Sequence, residues 1–123
     1  MVHALCIVAL GVVQTTLPAE TFTLAWEHSV QKTRWEERYA VLDDALVLVE
    51  ARVQGSGAGM EAPPEARFDR GWWRWNAAAR LAELTLAASA FTADYELCTP
   101  DGCRALAGLA RATGAVTLRP CRG

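Results

Sequence analysis

Residues 26–37 hold an unusual concentration of side chains that could do chemistry. They include one of the two histidines, the only lysine, two tryptophans and three carboxylates of the chain. A simple connection between two strands needs only a turn and an alternating apolar face. This stretch is therefore the first candidate for a binding or catalytic site.

His28 is the group in this stretch best suited to acid–base chemistry, because imidazole titrates near neutral pH. The adjacent Ser29 is poorly placed to be its nucleophile, since neighbouring residues of a strand face opposite ways. A hydrolase would therefore have to combine His28 with Ser56 or Glu61, which lie elsewhere in the chain. The structural alternative is a histidine whose ring nitrogens bond the backbone of a neighbouring loop.

The carboxylates Glu36 and Glu37 point to opposite faces of an extended strand, so they cannot together form a glycosidase pair. Glu36 with Glu61 could form such a pair, at a separation that the sequence does not fix. No familiar catalytic motif surrounds these groups. The sequence therefore gives an enzyme little support, and we assign no catalytic residue.

The glycine-rich residues 55–59 suggest a phosphate-binding loop, but no helix follows them and the Lys-Ser/Thr ending is missing. Their amides and Ser56 could still bind an anion as a backbone nest, with Lys32 as the counter-charge. The candidate binding residues of the whole chain are His28, Ser29, Lys32, Thr33, Glu36, Ser56, Gly57, Gly59 and Glu61.

Three tryptophans close together in sequence form the second unusual feature. Alternation places Trp73 and Trp75 on one face of a strand, and Trp72 with Arg74 on the other. A tryptophan beside an arginine on an exposed face is typical of protein interfaces. Trp72 and Arg74 are therefore interface candidates, and the alternative is core filling with one tryptophan at the rim.

The elements that must position these groups are strands, because apolar and polar residues alternate along most of the chain. Strands are predicted within residues 5–16 (a hairpin), 22–27, 34–41, 45–53, 71–75, 84–86, 95–98 and 116–118. The alanine-rich residues 76–82 suit one helical turn, and residues 104–111 suit a short helix or an irregular loop. We predict a single all-β domain, residues 1–123, that forms a small antiparallel β-sandwich or barrel of about eight short strands with at most one short helix.

Composition supports one folded domain and argues against several functions. Hydrophobic residues make up 52% of the chain and charged residues 21%, which is typical of a globular protein. The net charge is -2 and no basic stripe exists, so we expect no nucleic-acid partner. The apolar run near the N-terminus is shorter than the ~18 residues of a membrane span and has no preceding positive charge, so we predict neither a span nor a signal peptide.

Four cysteines, Cys6, Cys98, Cys103 and Cys121, allow three disulfide pairings. Cys98 and Cys103 flank a Thr-Pro-Asp-Gly turn, and a hairpin closing there would bring them within bridging distance. Cys6 and Cys121 could link the first strand to the last. The alternative is four free thiols in a reducing compartment. Zinc is disfavoured because the paired C-x2-C spacing is missing, and we expect neither a metal nor another cofactor.

Several segments together also match a pattern known from other bacteria. They are residues 28–33, 35–37, 50–61, 71–75 and 92–95, the hairpin at 98–103, and residues 116–121. In these segments the chain resembles the domain of unknown function 1850 family, small bacterial proteins encoded beside TRAP transporters of the TAXI type. The resemblance covers nearly the whole domain, from about Leu5 onward.

The resemblance implies a non-enzymatic accessory protein of a TAXI-type TRAP transporter, a system that imports small organic acids. The implied partners are the permease or its substrate-binding protein, and the implied location is periplasmic or otherwise extracytoplasmic. Many relatives carry an N-terminal hydrophobic segment that this sequence lacks, which would make the location cytoplasmic. Two alternatives are a small-anion sensor built on residues 55–59 and Lys32, and a small hydrolase using His28 with Ser56 or Glu61.

Overall fold

The structure is a computed structural model that describes residues 3–27, 33–55, 63–89 and 94–122. Most of this backbone is extended and forms two antiparallel sheets. None of the helical structure in these ranges is long or apolar enough to cross a membrane. In chain order the elements are β1 (His3–Ala9), β2 (Val12–Pro18), β3 (Thr21–Glu27), β4 (Arg34–Val41), β5 (Leu46–Gln54), β6 (Arg67–Asp69), β7 (Trp72–Leu81), β8 (Leu84–Ala88), β9 (Glu96–Thr99), β10 (Gly102–Ala105), α1 (Leu106–Ala110) and β11 (Gly114–Arg122).

The four-stranded sheet has the order β2-β1-β11-β8, so the first and last strands lie side by side. Leu5 and Ile7 of β1 alternate inward and are fully buried. Leu10 and Gly11 join β1 to β2 with φ values of 55° and 74°. Two successive residues with positive φ form the kind of turn whose twist matches that of the flanking strands, and a glycine adopts this conformation without steric cost.

The seven-stranded sheet has the order β10-β9-β3-β4-β5-β7-β6. Its centre is the meander β3-β4-β5, in which each strand pairs with the next along the chain. Strand β7 extends this sheet, and β8 follows it in the four-stranded sheet. The chain therefore passes from one sheet to the other between Leu81 and Leu84.

The two sheets and the short helix enclose one apolar core. Among the described residues, no polar or charged side chain is buried in it. Phe22 and Tyr39 stack within the core at a centroid separation of 5.1 Å. The largest fully buried side chains are Leu5, Ile7, Phe22, Leu24, Val41, Leu46, Val53, Leu97, Leu106, Leu109, Val116 and Leu118. Most charges of the strands lie on their outward faces, whereas Glu37 lies on the inward side and accepts a hydrogen bond from the Tyr39 hydroxyl at 2.9 Å.

The predicted all-β, sandwich-like fold with one short helix is confirmed. The described residues contain eleven strands, where about eight were expected, and the short edge strands β6 and β10 lie outside the predicted segments. The helical turn expected at residues 76–82 is wrong, since Asn76 to Leu81 continue β7 and pair with β5. Here tertiary strand pairing overrides the helix propensity of alanine.

Both predicted disulfides are present, and no cysteine is free. Cys98 and Cys103 are direct cross-strand partners of the β9-β10 hairpin, with Cα atoms 4.0 Å apart. Cys6 and Cys121 join β1 to β11, with Cα atoms 5.8 Å apart. The second bridge spans 115 residues of chain and therefore ties the two ends of the domain together.

We predict that the two disulfides contribute unequally to stability. In the loop-closure treatment, the loss of unfolding free energy grows with the logarithm of the number of residues in the closed loop. Removing the Cys6–Cys121 bridge should therefore cost about 4–5 kcal/mol, and removing the Cys98–Cys103 bridge about 2 kcal/mol. Urea unfolding of the double variants C6A/C121A and C98A/C103A measures both losses, with the oxidised parent as the control. An equal or larger loss for the hairpin bridge would contradict the prediction.

Candidate functional site

Seven of the candidate binding residues fall outside the described ranges, so their mutual positions stay predictions. They are His28, Ser29, Lys32, Ser56, Gly57, Gly59 and Glu61. The proposed combinations of His28 with Ser56 or Glu61, and the anion nest at residues 55–59, therefore remain hypotheses. Four candidates are described: Thr33 just before β4, Glu36 on β4, and Trp72 and Arg74 on β7.

Glu36, Trp72 and Arg74 lie on the outward face of the seven-stranded sheet. Strand register aligns Glu36 with Arg52, and Arg52 with Arg74, in one row across β4, β5 and β7. We call this surface the charged face, and define it by Thr23, Arg34, Glu36, Arg38, Glu50, Arg52, Trp72, Arg74 and Glu96. Its charges come from the outward positions of the three neighbouring strands β4, β5 and β7 and from β9 beyond β3.

The Glu36 carboxylate is the most heavily bonded group of the charged face. It accepts a hydrogen bond from Arg34 Nε at 2.9 Å and one from Arg52 Nε at 2.8 Å, one at each oxygen. Its side chain is only 16% exposed. Partial burial by itself raises the pKa of Glu36, but the bonds from the two arginines outweigh it and hold the pKa below its ordinary value.

Arg34 extends this network across a third strand. Its Nη2 donates to Glu96 on β9 at 3.0 Å while its Nε bonds Glu36 on β4. Ala25 of β3 lies in register between Glu36 and Glu96 and is 1% exposed. The small side chain of Ala25 leaves room for the arginine to pass over it, so one cation links two strands that do not pair directly.

Arg52 makes a second contact besides its ion pair with Glu36. Its guanidinium carbon lies 3.8 Å from the centroid of the Trp72 ring, a cation–π geometry. Trp72 is half-buried and faces outward, whereas Trp73 and Trp75 lie on the inward side. The tryptophan ring is therefore held in a fixed orientation at the surface by an arginine that is itself fixed by Glu36.

Arg74 is held much more loosely than Arg34 or Arg52. Its nearest carboxylate oxygens are those of Glu50 at 3.7 Å and Asp69 at 3.9 Å, both beyond hydrogen-bond distance. Its Nε atom is buried and has no hydrogen-bond partner. Thr33 Oγ1 is likewise buried without a partner. Arg74 therefore keeps donor capacity that the described residues do not use.

Sequence reasoning missed Arg34, Arg52 and Glu96 as parts of this surface. Glu50 and Arg52 share one face of β5, where Arg52 bonds Glu36 and Glu50 faces Arg74. The usable signal was the alternation of charges along β4, where Arg34, Glu36 and Arg38 share a face. The pairing itself depends on the strand order, which alternation does not determine.

The described residues show little that could perform acid–base catalysis. His3, the histidine within them, bonds Glu20 at 2.8 Å and Asp43 at 3.0 Å, so both ring nitrogens are engaged. The hydrogen bond to Glu20 is the main cause that raises the pKa of His3. Glu36, with its lowered pKa and two arginine bonds, is a poor proton donor at neutral pH.

A possible metal-ligand cluster lies beside this network. One ligand atom each of Glu96, Cys98 and Cys103 lies within 4.8 Å of the others. Both sulfurs are joined in the hairpin disulfide, and metals bind cysteine as thiolate. In the oxidised protein this group therefore offers a single carboxylate, which is already bonded to Arg34.

We predict that Glu36 stabilises the domain in a pH-dependent way. A carboxyl group whose pKa is lower in the folded state contributes stability above its unfolded pKa, and that contribution is lost as the pH falls through the folded value. E36Q should therefore lower the free energy of unfolding by about 1–3 kcal/mol at pH 7, and this difference should shrink as the pH falls below about 4.

Urea unfolding of E36Q and the parent protein between pH 3 and pH 7 measures this effect. E83Q is the matched control, because Glu83 is exposed and has no ion pair among the described residues. A loss in E36Q that is the same at every pH, or that E83Q reproduces, would contradict a stabilising role of the ionised Glu36 network.

The comparisons with known proteins give a family and no more. A family model described as a domain of unknown function (DUF1850) matches residues 22–106, more than two thirds of the chain. The matched region includes every residue of the charged face. No curated protein and no solved structure matches the chain significantly. The chain therefore belongs to the DUF1850 family of domains of unknown function.

Proposed function

We propose that this domain is a non-enzymatic accessory module of a TAXI-type TRAP transporter, and that it acts by holding a protein partner on its charged face. The transporter context rests on the sequence resemblance, and the partner is the permease or its substrate-binding protein. The surface chemistry supports the binding part of this proposal, with the Arg52–Trp72 stack as the single observation that carries it.

The stack supports binding because its components are already ordered. Trp and Arg are the residues most enriched among binding hot spots, and association costs less when their side chains are held in place beforehand. Arg52 is fixed by Glu36, and Trp72 is fixed by Arg52. Around them lie arginines and glutamates that could match charges on a partner and set its orientation.

The disulfides support an extracytoplasmic location for this module. All four cysteines are paired, and stable structural disulfides are typical of oxidising compartments such as the bacterial periplasm. A periplasmic module would be placed where the transporter's substrate-binding protein works. We therefore propose that the substrate-binding protein is the first partner to test.

We predict that Trp72 is required for capture of the partner. The tagged domain should recover the cognate substrate-binding protein or permease from a pull-down, and W72A should reduce the affinity about 30-fold, as expected for a hot-spot tryptophan. L10A is the control, because Leu10 is 86% exposed but lies on the other sheet. Recovery of neither protein by the folded domain would overturn the proposed function, and unchanged binding by W72A would overturn the assigned surface.

A further inference from the structure

Two adjoining cavities are lined mostly by residues of the seven-stranded sheet, and the smaller one opens on the charged face. The smaller has a volume of 240 Å³ and is lined by Thr23, Glu36, Arg38, Glu50, Arg52 and Arg74. The larger has a volume of 550 Å³ and extends toward the sheet edge at β6 and β7. Glu50 and Arg74 line both cavities, so the two adjoin at these side chains.

The smaller cavity carries a surplus of positive charge. Three arginines and two glutamates line it, and Glu36 is already neutralised by Arg52 and by Arg34. Arg38 is exposed and has no ion pair among the described residues. Arg74 has no carboxylate within hydrogen-bond distance, and its Nε is buried without a partner. Two guanidinium groups with unused donors therefore share one small cavity.

Unused guanidinium donors favour a ligand with two acceptor oxygens. Arginine binds carboxylates through parallel N–H donors, and a buried donor without an acceptor costs free energy that such a ligand would recover. Glu50 is the one carboxylate facing Arg74 from within the smaller cavity, and its oxygen stays 3.7 Å away. The Thr23 hydroxyl lines the same cavity and could donate a further hydrogen bond to an anion.

The larger cavity differs from the smaller one in its charge. Arg67 and Arg74 are offset there by the acidic groups of Glu50, Glu65 and Asp69, so no positive surplus remains. Its volume lies within the range of about 300–1,000 Å³ that is typical of small-molecule sites.

We propose that the smaller cavity binds a small organic carboxylate. The carboxylate accepts hydrogen bonds from Arg38 and Arg74. The site lies on the charged face but within one domain, so the isolated domain should bind the acid without a transporter protein. It also uses other residues than the glycine-rich loop, at which the sequence predicted an anion nest.

Isothermal titration calorimetry of the isolated domain with phenylacetate, hexanoate and succinate tests this site. Each acid is compared with its neutral amide at the same ionic strength, so that the contribution of the anionic group is separated from that of the rest of the molecule. We expect at least one monocarboxylate to bind more tightly than its amide by about tenfold or more, as the loss of a charge-assisted hydrogen bond implies.

Arginine variants test the position of the carboxylate. R38Q and R74Q should each weaken binding of the acid about tenfold, and neither should change binding of the amide. R119Q is the matched control, because Arg119 lies on β11 in the other sheet and is also exposed. Circular dichroism checks that the variants are folded. If R74Q does not fold, R38Q alone still tests the site, because Arg38 has no ion pair among the described residues and its replacement should not affect folding.

Three results would overturn the proposal. They are the absence of binding for every acid, equal affinities for acid and amide, and an R119Q variant that loses as much affinity as R38Q. Succinate binding without monocarboxylate binding would also overturn it, because the site is proposed to hold a single carboxylate. None of these results bears on capture of the transporter proteins, so the two proposals fail separately.

Discussion

The charged face depends on one carboxylate, that of Glu36, shared between two arginines. Arg52 reaches it from the neighbouring strand and is thereby held over Trp72, while Arg34 reaches it from the same strand and continues to Glu96. Removing one partner from such an ion pair destabilises a protein, because the remaining charge is left partly buried and unpaired. The network also fixes the orientation of several long side chains, which would otherwise have to be ordered when a partner binds.

Charge is distributed very unevenly between the two sheets. Residues 4–19, 84–89 and 114–118, which supply most of the four-stranded sheet, contain no charged side chain. The seven-stranded sheet instead carries the ion pairs of the charged face. The small side chain of Ala25 leaves room there for Arg34 to reach Glu96. Since the core needs only apolar inward residues, this outward arrangement is not required for folding. We therefore place the proposed binding function on this face.

Alternation and turn chemistry were sufficient to predict much of the architecture. The strands at residues 22–27 and 34–41, the N-terminal hairpin and the Cys98–Cys103 bridge follow from local patterns, because strand periodicity and hairpin geometry act over a few residues. The alanine-rich end of β7 was predicted wrongly, since its extended backbone is stabilised by pairing with β5, a partner distant in sequence.

The partners of the charged side chains could not be predicted in the same way. Glu36 meets Arg52 only because β4 and β5 pair in one register, and that register shifts between Arg38 and Tyr39. A second shift, between Leu48 and Glu50, sets how β5 meets β7 and so places Arg74 near Glu50. Such irregularities move every later side chain relative to its neighbours, and neither leaves a local signal in the sequence. His28 and Ser56 remain predictions, because they lie outside the described ranges.

The central claim is that the charged face is where this domain makes its contacts. Hydrogen–deuterium exchange and side-chain NMR of the domain, with and without the cognate substrate-binding protein, test it most directly. The account predicts shifts of the Trp72 indole and of the Arg52 and Arg74 side chains, together with slower exchange in β4, β5 and β7. Changes confined to the four-stranded sheet, with the Trp72 signal unmoved in a saturated complex, would contradict it.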